Sequence, residues 1–75
     1  MTDVPPGAPR LLTVTDAARV AGMRPNAVRY WVDSGQLPAA NARFGHLRWI
    51  RTSDLVRHLE RLRVEPDWGA LAERL

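Results

Sequence analysis

The chain has no cysteine, and all eleven of its basic positions are arginine. Without thiols, neither a disulfide framework nor a thiolate metal site can supplement hydrophobic packing, and nothing points to an oxidising compartment. No apolar run approaches the roughly 20 residues that a spanning helix needs, and the N-terminus lacks the charged-then-apolar order of a signal peptide. A cytoplasmic protein with no membrane partner is expected. With 75 residues there is room for one small core and little for a buried catalytic cavity. Paired carboxylates, a nucleophile beside a base and a Gly-rich phosphate loop are all missing, so neither enzymatic activity nor a cofactor is expected. His46 and His58 fall on different elements with no acid or thiol at ligand spacing, which argues against a zinc site.

What is present is arginine, unevenly spread. The net charge of +3 is an ordinary solubility charge for a small domain. Its distribution says more. Between Arg43 and Arg51 lie Arg43, His46, Arg48 and Arg51 with no acid, whereas acids gather at Asp16, Asp54, Glu60, Glu65, Asp67 and Glu73. Arginine's planar fork suits bidentate contact with phosphate and guanine, although an arginine-only inventory also fits a GC-rich genome.

Residues 1–10 carry Pro5, Pro6, Gly7 and Pro9 and read as a flexible tail, with the folded domain spanning residues 11–63. A first helix opens at Val14-Thr15-Asp16, where Thr15 can cap free amides, and closes at Gly22. Pro25 reopens the chain as a second helix, because its fixed φ suits the first helical position, and this helix runs to about Ser34, before Gly35. Ala27, Val28, Trp31 and Val32 form its apolar side; Asn26, Arg29, Tyr30 and Asp33 form the other. Short extended segments at about Ala39 to Arg43 and Leu47 to Ile50, joined through Phe44-Gly45-His46, predict a β-hairpin. Thr52 or Ser53 caps a third helix to about Arg63, with Leu55, Leu59 and Leu62 on one stripe. In residues 64–75, Asp67 begins a short final helix carrying Trp68, Leu71 and Leu75. These three are either a contact with another protomer or part of the chain's own core.

The predicted fold is mainly α with a small β-hairpin, a winged helix-turn-helix. In that arrangement the second helix lies in the major groove of double-stranded DNA. Asn26 can pair with an adenine edge, Arg29 can reach guanine or phosphate, and Tyr30 can meet a phosphate oxygen. Alone, the three could equally be a solvated helix face. The basic hairpin, which could otherwise be an edge protected by charge, favours nucleic acid because no acid offsets it along the chain. Trp31 and Trp49 are expected in the core, not as stacking platforms.

Leu12-Thr13-Val14-Thr15-Asp16-Ala17-Ala18, Pro25-Asn26-Ala27-Val28-Arg29-Tyr30-Trp31, Gly35-Gln36-Leu37-Pro38 and Gly45-His46-Leu47-Arg48-Trp49 stand in an order that resembles the MerR-type winged-helix domain. The likeness covers about Leu11 to Leu62. It runs to the minimal members: phage excisionases, also called recombination directionality factors, and BldC-like regulators of actinobacteria. One departure is Arg24, which stands where a Ser or Thr usually caps the second helix. The resemblance implies DNA contacts by Asn26, Arg29 and Tyr30 in the groove and by His46 and Arg48 on the wing. Arg43 and Arg51 of the basic hairpin, with Thr15 and Pro25 at the two helix starts, complete the expected DNA-binding set. Further implied by the resemblance are cooperative binding beside other copies of itself, DNA bending and a phage integrase as partner. With no space for a ligand sensor after the hairpin, no small-molecule effector is expected. A promoter regulator and a protein-interaction module with acidic partners are the alternatives.

Overall fold

The computed structural model describes Val4, residues 7–41 and residues 48–72. The elements run β1 (Leu11–Leu12), α1 (Val14–Ala21), α2 (Pro25–Asp33), β2 (Ala40–Asn41), β3 (Arg48–Arg51), α3 (Thr52–Leu62) and α4 (Gly69–Ala72). The fold is the mainly helical one with an antiparallel strand pair, as a winged helix-turn-helix requires.

Helix α1 is capped by Thr13, not Thr15. Thr13 is extended, and its hydroxyl accepts a hydrogen bond from the Asp16 amide at 3.1 Å. This satisfies one of the four donors that a helix start leaves open, and it makes Val14 the first helical residue, with its side chain buried. Thr15 is left exposed on the first turn. Ala17, Ala18, Val20 and Ala21 complete the buried face. Gly22 then takes a left-handed φ of 67°, which lets the Met23 amide reach the Ala18 carbonyl at 2.9 Å and stops the helix.

Helix α2 starts at Pro25 behind an extended Arg24 whose side chain makes no cap. Proline has no amide hydrogen to satisfy, so it reduces what a cap would otherwise have to do. Val28 and Trp31 are buried, and the helix ends as Ser34 and the left-handed Gly35 turn the chain. The Leu37 amide donates back to the Trp31 carbonyl at 3.0 Å, a closure that drives Leu37 into the core. Sequence patterning had not marked Leu37 as a core residue.

Strands β2 and β3 pair antiparallel, Ala40 opposite Trp49 and Asn41 opposite Arg48. The expected strand Ala39 to Arg43 is thus seen over Ala40–Asn41. Arg43 and the Phe44-Gly45-His46 tip lie outside the described residues. Strand β3 continues one residue past the predicted Ile50 because its far end pairs with β1, Leu11 opposite Arg51 and Leu12 opposite Ile50. This third strand, giving the order β1-β3-β2, was not foreseen. Ile50 is fully buried, while Trp49, on the opposite face of the strand, is only half-buried and is not a core residue.

At the start of α3, Thr52 does not cap the helix with its side chain. Arg51 holds the cap position without a side-chain bond. Thr52 instead donates its hydroxyl to the Pro9 carbonyl and its amide to the Arg10 carbonyl, the latter at 2.9 Å, tying the stretch before β1 to α3. Leu55 and Leu59 enter the core as predicted, but Leu62 is 45% exposed. Val56 and His58 are buried in its stead. Arg63 ends the helix in a left-handed conformation with φ 58°.

Leu12, Val20, Val28, Leu37, Ile50, Leu55 and Leu59 are the largest fully buried side chains, so β1, β3 and the three longer helices share one core. Trp68 and Leu71 pack partly buried against it, and the Asp67 amide donates to the Val20 carbonyl at 2.7 Å. For Trp68 and Leu71, own-core packing is therefore the arrangement seen; Leu75 lies outside the described residues.

Candidate nucleic-acid interface

The apolar stripe of α2 fixes which way its polar side points. Val28 and Trp31 face the core, and this turns Pro25, Asn26, Arg29, Tyr30 and Asp33 outward, all exposed. Tyr30 is 62% accessible, a large ring presented to solvent on a helix otherwise anchored by its neighbours. Arg29 Nη1 donates to Asn26 Oδ1 at 3.1 Å across one helical turn. That bond occupies the amide oxygen and leaves the Asn26 NH2 and most of the Arg29 fork as outward-facing donors. Donors of this kind meet the acceptor edges of bases in the major groove and phosphate oxygens.

Behind this face, His58 of α3 supports Trp31. Their ring centroids are 4.6 Å apart in an edge arrangement with an interplanar angle of 63°. Both His58 ring nitrogens are buried without a hydrogen-bond partner in the structure. Burial, and secondarily the charge of Arg61, holds the imidazole below its ordinary pKa. His58 is therefore a neutral packing group behind the groove helix. Among the described residues no cluster of His, Cys, Asp or Glu could hold a metal ion. No described helix is long and apolar enough to cross a membrane.

Arg48 is brought to α2, and not as a free cation. Its Nη2 lies 2.9 Å from Asp33 Oδ1. The basic stretch that looked free of acid along the chain thus meets an acid in space, contributed by the last residue of α2. Arg51 is not brought to the same surface. Three residues along a strand place it on the other face and about 10 Å away. There it lines a shallow recess with Arg10, Pro9, Leu11 and Ser53. Arg43 and His46 lie outside the described residues. Thr15 is exposed at the start of α1.

The feature that sequence reasoning missed was Asp33 as the partner of Arg48. A signal did exist, since Asp33 stands three residues after Tyr30 and four after Arg29 and so shares their face.

A family model described as a helix-turn-helix domain matches residues 11–63. The chain belongs to the helix-turn-helix domain family. The match begins at β1 and ends at the residue that closes α3, so α4 lies beyond the matched part of this helix-turn-helix protein. Membership supports sequence-specific DNA binding, with DNA as the partner. It agrees with the two helices joined through Gly22 and with the polar face of the second. No curated protein and no solved structure matches this helix-turn-helix chain.

Proposed function

We propose that this helix-turn-helix protein is an architectural DNA-binding protein of the excisionase kind. Copies bind repeated sites side by side and bend the DNA, so that an integrase can assemble for excision of a prophage. The protein itself catalyses no reaction. Helix α2 enters the major groove with Asn26 and Arg29 at base edges and Tyr30 at a phosphate, and the hairpin lies along the backbone. The observation that carries the reading is the outward face of α2, where the Asn26–Arg29 pair presents donors above a buried Val28 and Trp31. The order of motifs shared with minimal MerR-type proteins supports the excisionase role.

Cooperation between copies fits the small footprint of a single winged helix, since neighbouring protomers raise one another's local concentration. Selection from a randomised duplex pool, followed by electrophoretic titration, tests the binding. The expected result is stepwise occupation of repeated sites with bent complexes. The R29A variant should weaken the selected site by about 1–3 kcal/mol, the cost of one lost bidentate contact. Excision by a cognate integrase should rise when the protein is added. Independent, unbent binding with no effect on excision would instead favour a regulator acting at promoter repeats.

A further inference from the structure

Asp33 is the only acid in α2, and it is doubly misplaced for a groove helix. It ends the helix, where the dipole already presents partial negative charge, and it shares the face that carries Asn26, Arg29 and Tyr30 toward a polyanion. Among the described residues its ion-pair partner is Arg48, 2.9 Å away across the gap between α2 and β3. The pair is accessible, with 58% of the Asp33 side chain and 31% of the Arg48 side chain exposed, so a phosphate could reach either member.

The Asp33 carboxylate, 2.9 Å from the Nη2 of Arg48, offsets the guanidinium charge that a phosphate would otherwise meet, so the two anions compete for it. The pair also joins an element of the hairpin to the groove helix, fixing where that guanidinium stands. We propose that Asp33 limits the sequence-independent affinity of this protein by withholding Arg48 from the DNA backbone. This inference rests on the DNA-binding reading above. Arg48 is then a positioned counter-charge for Asp33, and contacts with phosphate fall to other arginines. Because phosphate contacts hold every sequence alike, one contact withheld leaves base readout by Asn26 and Arg29 a larger share of total affinity.

The test uses the full chain, a short fluorescein-labelled duplex of mixed sequence and anisotropy titrations from about 50 to about 200 mM salt, a range over which each phosphate contact contributes a slope of about 0.9 in log affinity against log salt. Three variants are compared with the wild type: D33N, R48Q and D33N/R48Q, each checked for an unchanged circular dichroism spectrum. D33N should bind more tightly and steepen the slope by about 0.9, so that its advantage shrinks by about 3.5-fold across that range. D33N/R48Q should return to the wild-type slope, and R48Q alone should leave the slope unchanged. A D33N slope equal to the wild type's, or a loss of about 0.9 in R48Q alone, overturns the role given to Asp33 while leaving DNA binding intact. A wild type that binds no duplex overturns the DNA reading itself, and this inference with it.

Discussion

Acidification should destabilise this protein through one histidine, and the burial of His58 gives the sign. His58 is 4% exposed, its two ring nitrogens have no partner, and burial holds its pKa below the ordinary 6.5. The unfolded chain therefore takes up a proton that the folded chain refuses. The stability contributed by neutral His58 is present in full above about pH 6.5, and it drains away as pH falls below that value toward the lowered folded pKa. One proton limits the slope to about 1.4 kcal/mol per pH unit. With a urea m-value of about 1 kcal/mol/M for so small a domain, the midpoint should fall by up to about 1.4 M per pH unit.

Urea titrations at pH 7.5, 6.5 and 5.5, followed by tryptophan fluorescence, read this directly. The H58L variant keeps comparable bulk against Trp31 and removes two unsatisfied polar atoms, each of which costs about 1–3 kcal/mol when buried. It should be as stable as the wild type or more so at pH 7.5, and most of the slope should be gone. An H58L protein that keeps the full slope would show that His58 is not its source, and one that loses more than about 2 kcal/mol at neutral pH would show that the imidazole is hydrogen-bonded or charged in the folded state.

Two further outcomes follow from local geometry. Removing the hydroxyl that accepts from the Asp16 amide, in T13A, should cost about 1 kcal/mol in urea unfolding, whereas T15A should stay within about 0.5 kcal/mol. Arg63 holds φ 58°, which costs a side-chain-bearing residue about 1 kcal/mol, so R63G should raise the unfolding midpoint by a comparable amount.

The helices were legible because their signals are local. Pro25 and Gly22 mark a start and a stop through their own backbone chemistry, and Val28 and Trp31 fall on one stripe whatever surrounds them. Thr13-Val14-Thr15 offers two hydroxyls for one cap, and only the position of Val14 in the core decides for Thr13. The readings that failed depend on distant partners. β1 is a two-residue strand with no period to detect, defined solely by Ile50 and Arg51 opposite it. Thr52 resembled a cap until the Pro9 carbonyl, 43 residues away in the chain, took its hydroxyl. Counting charges along Arg43 to Arg51 could not reveal that Asp33 lies 2.9 Å from Arg48. At the interface, the face of α2 could be read from spacing, whereas the electrostatic state of the hairpin arginine could not.

The pairing of Leu11 and Leu12 with Arg51 and Ile50 has a temporal side. The whole helix-turn-helix unit lies within a loop that closes only when the start of the domain meets β3. Such a closure carries its entropy cost before most of the long-range contacts can repay it. As the chain leaves the ribosome, Leu11 and Leu12 must wait for Arg51 and Ile50, some forty positions downstream, before their sheet exists. Until then Leu12 has no strand to pair with, and the groove helix has only part of its scaffold. A stalled or truncated product ending before β3 should therefore be a target for proteolysis, not a weaker DNA binder.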